Sequence, residues 1–161
     1  MTSTSITVQR HIGADPTSTA LLLAGPTAVE MWPGVRRVGE VGGRVLVEVC
    51  IDAPALRAVP DRPRPQTDAA LTAASVTAHP PLRTPTAFVS RFGWAGPGLP
   101  ATEGVLRLTY APGEEMPSTC AQLVLDAAAI EHSRLDRSTL AWMAEEVLAN
   151  LARAAESRRA A

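Results

Sequence analysis

The sequence predicts an α+β domain in which a curved antiparallel sheet of about seven strands wraps one long C-terminal helix. Three observations predict it. Short segments that alternate apolar and polar residues, bounded by proline or glycine, recur along the chain and signal successive strands. Two short helical segments follow the first of them. The chain then closes on a stretch in which Leu140, Met143, Ala144, Val147, Leu148, Leu151, Ala154 and Ala155 recur at helical spacing. With 161 residues, 46% of them hydrophobic, one domain over 1–161 suffices, and a chain of that size buries about two-thirds of its unfolded surface.

The first strand is Ile6–Ile12, with Ile6, Val8, Arg10 and Ile12 on one face and Thr7, Gln9 and His11 on the other. Asp15 then caps a short helix that begins at Pro16, where a missing N–H costs nothing, and Gly25 and Pro26 stop it. Thr27 and Glu30 have capping-box spacing for a second helical turn over Ala28–Met31, ended by Pro33 and Gly34. Val35–Val41 and Arg44–Ile51 form a hairpin about Gly42 and Gly43. Residues 53–70 are rich in proline and charge, which rules out a central strand and predicts a long surface loop, either a plain insertion or a lid. Strands follow at Ala70–Ala78, Thr84–Trp94, Val105–Tyr110 and Thr119–Ala127. Short links between them favour antiparallel pairing. The helix runs over Ser138–Arg158 and spans roughly 30 Å, enough to cross a sheet.

Composition excludes several function classes. Every one of the 15 basic residues is arginine, so neither a Schiff-base lysine nor a phosphate-gripping P-loop lysine is available. A net charge of -1 with scattered arginines offers no field for a nucleic-acid backbone. No stretch approaches the ~18 apolar residues of a membrane span, and MTSTSITV lacks the marks of a signal peptide, so the expected location is the cytoplasm. Cys50 and Cys120 are then expected to be reduced and buried, although two strand cysteines can pair in an oxidising compartment. His11, His79 and His132 have no metal-ligand spacing, and neither a metal nor a cofactor is expected.

Particular residues carry a family resemblance. The run Ile12–Pro26 (IGADPTSTALLLAGP) resembles the opening of START-like, or SRPBCC, helix-grip proteins, the superfamily of polyketide cyclases and lipid-transfer domains. Trp32, Pro33, Gly34 and Val35, followed by Val38 and Glu40, are similar to its tryptophan-proline lead into the second strand. The terminal LANLARAAESR is similar to its last helix. Ala20 and Gly25 depart from the pattern, standing where the family often has an aromatic and an aspartate. The resemblance implies an apolar cavity between sheet and helix that holds a lipid, polyketide or similar molecule.

Strand parity names residues for such a cavity. Phe88, Ser90, Phe92 and Trp94 share one face of their strand, and Leu106, Leu108 and Tyr110 share one face of the next. An apolar lining with few polar groups is the usual design of a small-molecule site, and plain core packing requires the same stripe. The expected ligand-binding set is Trp32, Phe88, Ser90, Phe92, Trp94, Leu108, Tyr110, Met143 and Val147. The expected partner is a hydrophobic small molecule, and the protein a monomer or homodimer, with Trp142 on the polar side of the helix as a subunit or loop contact.

The chemistry leaves an enzyme open. If the chain acts as a polyketide aromatase/cyclase, positioning would do much of the work, with Arg10, Ser90 and Tyr110 orienting carbonyls and moving protons. No nucleophile elbow or Cys-His pair is present locally. Gly39, Gly42 and Gly43, like Gly93, Gly96 and Gly98, lead into no helix and belong to turns rather than phosphate loops. A third reading is an interaction protein whose cavity is filled by its own side chains.

Overall fold

The computed structural model describes residues 5–25, 28–50, 71–96, 102–112, 115–126 and 137–160. Strand β1 (Ser5–Ile12) leads into helix α1 (Pro16–Leu23) and a 3-10 helix (Ala28–Met31). Strands β2 (Val35–Val41), β3 (Arg44–Cys50), β4 (Leu71–Ala78), β5 (Leu82–Arg83), β6 (Ala87–Ala95), β7 (Thr102–Tyr110) and β8 (Thr119–Asp126) follow, and helix α2 (Arg137–Ala160) completes the described chain. The expected α+β architecture is present: an open, antiparallel sheet ordered β1-β8-β7-β6-β4-β3-β2, with β5 paired to β6 off that path. The proline-rich segment 53–70, Thr27 and His132 lie outside the described residues.

Local chemistry sets the element boundaries. Asp15 caps α1: its carboxylate accepts from the Ser18 amide at 3.0 Å and from the Ser18 hydroxyl at 2.6 Å, with Pro16 at the first helical position. Gly42 and Gly43 both have positive φ (59° and 76°), which a two-residue turn of the β2–β3 hairpin requires. The strand expected over Thr84–Trp94 starts later, because Thr84 and Pro85 form a turn. The Thr84 hydroxyl accepts from the Ala87 amide at 3.0 Å, and the Thr84 amide donates to the Ala87 carbonyl at 2.7 Å. That turn folds the unforeseen two-residue β5 back onto β6. Strand β7 begins three residues earlier than expected, because Thr102–Val105 stay in register with β6 opposite Trp94–Arg91.

Helix α2 lies along β1 and is tied to it at both ends. Arg137 donates to the Ser5 carbonyl at 2.7 Å, and Glu156 accepts from the Gly13 amide at 2.9 Å. Leu140, Met143, Ala144, Leu148 and Leu151 are fully buried against Ile6, Ile12, Leu123 and Leu125 of the sheet. The buried arc is wider than the single stripe, since Ala149 and Ala152 are buried too. Trp142 therefore packs against the core instead of projecting from a polar side. The 3-10 helix abuts α2, where Asn150 donates to the Met31 carbonyl at 2.7 Å.

The inner face continues through Val47 and Val49 of β3, Ala74 and Val76 of β4, Ser90 and Trp94 of β6, and Leu106 and Leu108 of β7. Gly104 on β7 leaves room for the ring of its cross-strand neighbour Phe92. A Cβ there would sit 2.3 Å from Phe92 Cζ and 2.8 Å from Leu125 Cδ2. At Gly93 on the outer face a Cβ meets nothing nearer than 3.7 Å.

Gly104→Ala will lower stability by about 1–3 kcal/mol in urea unfolding, the range for an overpacked core, whereas Gly93→Ala will change it by less than about 0.5 kcal/mol. The hydrogen bonds from the Ser18 hydroxyl and amide hold the Asp15 carboxyl below its ordinary 3.8. Because the folded value is depressed, the cap's contribution is complete above the ordinary value and is lost as pH falls through the lowered one. Asp15→Ala will cost about 0.5–2 kcal/mol at pH 7, and unfolding curves will show that deficit shrinking below pH ~4.

Candidate functional site

The 3-10 helix brings Trp32 onto the inner face. The Trp32 amide donates to the Val29 carbonyl at 3.3 Å, and its carbonyl accepts from the Val35 amide at 3.2 Å across Gly34, whose positive φ of 75° makes the turn. The indole so placed meets two aromatics of β6. Its ring lies edge-on to Phe92 at 5.6 Å and tilted against Trp94 at 5.1 Å, both favourable aromatic geometries. These three rings, with Val29, Val35 and Val76, enclose a void of about 10 Å³. A water needs roughly 10–15 Å³.

One polar atom in this lining is unpaired. Trp94 is only 6% exposed, and its Nε1 is buried without a hydrogen-bond partner. A buried donor left unmade costs about 1–3 kcal/mol. Among the described residues the lining is otherwise formed by valines and aromatic rings.

The expected site residues are distributed unequally. Trp32, Phe92 and Trp94 come together around the void. Leu108, Met143 and Val147 are buried in the core beside α2, and Phe88 packs against that core half-buried; none of these four borders the void. Ser90 is buried, and its hydroxyl reaches the His79 carbonyl at 3.4 Å. Tyr110 closes β7 at 62% exposed. Arg10 is exposed, across the sheet from Ala121. His11 pairs with the Ser118 hydroxyl at 3.1 Å, and Cys120 is a half-buried free thiol. Among the described residues, no group of three His, Cys, Asp or Glu is placed to hold a metal.

Arg37 went unrecognised in the sequence. It pairs with Val47, whose side chain is buried on the inner face, and Val35, two residues earlier, borders the void. Its Nη2 lies 3.3 Å from Glu40, its amide donates to Glu30 at 3.2 Å, and its Nε is buried without a partner. Strand alternation places Arg37 beside Val35 on one face, but the register shift between Arg37 and Gly39 breaks the pattern that would have singled it out. Val76 was legible by the same parity, through its alternation with Ala74.

A larger depression, about 620 Å³, opens on the opposite face of the sheet, among Thr77, Arg91, Glu103, Val105, Val124 and Asp126. It exists because Gly93 carries no side chain between Thr77 and Glu103. Its charged residues are exposed and of both signs.

Among solved structures, CV1439 from Chromobacterium violaceum is 15% identical with a TM-score of 0.60, over 96% of this chain and 99% of that one. The Zhui aromatase/cyclase from Streptomyces sp. R1128 is 12% identical with a TM-score of 0.59, over 96% and 94%. The chain adopts the helix-grip fold. The di-domain aromatase/cyclase StfQ of the steffimycin biosynthetic pathway shares it at 13% identity and a TM-score of 0.58, with 96% of this chain matching 46% of StfQ. No protein-family model and no curated protein matches the sequence. In this helix-grip chain no helix among the described residues is long and apolar enough to cross a membrane.

The mount of Trp32 is testable. Asn150→Ala removes the donor to the Met31 carbonyl and will cost about 1–3 kcal/mol in chemical unfolding. Tryptophan emission will shift to the red as Trp32 loosens, with far-ultraviolet circular dichroism unchanged.

Proposed function

We propose that this helix-grip protein binds a hydrophobic small molecule between the inner face of the sheet and the helices that cover it, with Trp32, Phe92 and Trp94 as the recognition surface. The observation that carries this reading is the meeting of three aromatic rings, from segments about sixty residues apart in sequence, around one void lined, among the described residues, by those rings and three valines. A small-molecule site has that composition. Entry of a ligand requires the half-buried Trp32 side chain to rotate aside, since Trp94 is fixed within a paired strand.

Two of the structural neighbours are aromatase/cyclases, and cyclisation of a polyketide in the same place is the catalytic alternative. The arrangement favours binding over catalysis. Among the described residues no titratable side chain borders the void, Arg10 and Tyr110 are exposed, and the Ser90 hydroxyl is turned to a backbone carbonyl. The void's small size favours a second reading, an interaction protein whose cavity is filled by its own side chains. In either case the proposed setting is a cytoplasmic protein without metal or redox cofactor.

Native mass spectrometry of freshly purified protein, followed by denaturing extraction, separates the two. The expected result is a co-purifying hydrophobic species, whose re-addition at about 100 times its Kd stabilises the fold by about 2.7 kcal/mol. An empty protein whose melting temperature ignores a panel of lipids and aromatic polyketides would reject the binding reading and leave the filled core.

A further inference from the structure

Resting on the binding reading above, we propose that the 3-10 helix is a latched cover. It swings out as one unit, carrying Trp32, to admit the ligand, and Asn150 of α2, set by Arg153, is the latch. Val29 and Trp32 form one side of the void, and Val76, Phe92 and Trp94 of the sheet form the other. The cover is held lightly. Beyond its own turns and among the described residues, one hydrogen bond ties it to α2, from Asn150 Nδ2 to the Met31 carbonyl at 2.7 Å. Another ties it to β2, from the Arg37 amide to the exposed Glu30 at 3.2 Å. Pro33, next to Trp32, has no N–H to give, and Gly34 at φ 75° supplies a pivot that glycine takes readily. A segment held by so few bonds opens at a lower free energy than the sheet and the long helix.

The latch is built on one face of α2. Glu146, Asn150 and Arg153 stand four and three residues apart and so are neighbours there. Arg153 donates to Asn150 Oδ1, and its Nη2 lies 4.0 Å from Glu146. A guanidinium only donates and a carbonyl only accepts, so Arg153 on one side and Met31 on the other fix which way round the Asn150 amide lies. Without Arg153 the amide is free to turn its oxygen towards the Met31 carbonyl, where it repels instead of holding. The Arg153 side chain is 65% exposed and does not border the void. It is a positioning residue that acts through Asn150.

Amide hydrogen exchange of the intact protein tests the latch without a ligand. The Trp32 and Val35 amides are both hydrogen-bonded in the cover's turns. They are expected to exchange together, at least about tenfold less protected than the β6–β7 ladder and with little dependence on added urea. Arg153→Met keeps the stem and loses the donor, and will speed both amides by about three- to tenfold, the worth of one hydrogen bond. Asn150→Ala will do at least as much, and adding Arg153→Met to it will change nothing further. Exchange of Trp32 and Val35 only in step with the ladder overturns the proposal, as does a full Arg153→Met effect on top of Asn150→Ala. Either result leaves the binding reading standing. Should Asn150→Ala not fold, Arg153→Met decides alone: faster exchange supports the latch and an unchanged rate overturns it. Stopped-flow binding of cis-parinaric acid, a fluorescent fatty acid, will quicken in Arg153→Met by a similar factor, and an unchanged rate overturns the gate. If wild type binds neither this probe nor the lipid and polyketide panel, the binding reading falls and takes the gate with it, whatever the exchange rates are.

Discussion

Everything in this fold depends on α2 being laid along β1 and tied at both ends. From Arg137 to Glu156 the helix rises about 28 Å, and from Ser5 to Gly13 the strand extends about 26 Å, so the two hydrogen bonds close on elements of matching length. Between them Leu140, Met143, Ala144, Leu148 and Leu151 are held over Ile6, Ile12, Leu123 and Leu125. With β1 at one edge of the sheet order and β2 at the other, the helix anchors one side and leaves the other to be covered differently.

That other side is where the candidate site lies. The 3-10 helix does the covering, hung between Asn150 of α2 and the amide of Arg37 on β2 through Met31 and Glu30. A four-residue 3-10 helix presents few side chains, so the cover over β2, β4 and β6 is chiefly one indole, Trp32. Large flat rings tile such a surface without filling it, and a small void results. The unpaired Trp94 N–H is an energetic cost of that arrangement.

The two faces of the sheet differ in kind. The inner face is apolar and nearly closed, while the outer face carries Arg91, Glu103 and Asp126 around a wide trough opened by Gly93. The trough is larger and its charges are exposed to solvent, whereas the inner lining holds a buried donor with no partner among the described residues.

The sequence by itself determined which residues face inward, how α1 is capped and where the hairpin turns, because a period of two along strands, a period of 3.6 along α2, and the preferences of Asp15, Gly42 and Gly43 are all local properties. It also carried enough of the Trp32–Val35 pattern to suggest the helix-grip fold. Only the tertiary structure decided that Trp32 meets Phe92 and Trp94 while Phe88 stays away, that Arg37 and not Arg10 lies beside the void's lining, and that Trp142 packs inward. Periodicity assigns a face but not a place on it. Which rows of side chains converge depends on pairing register, on the bulge after Arg37 and on what covers each strand, and those are set by contacts distant in the chain.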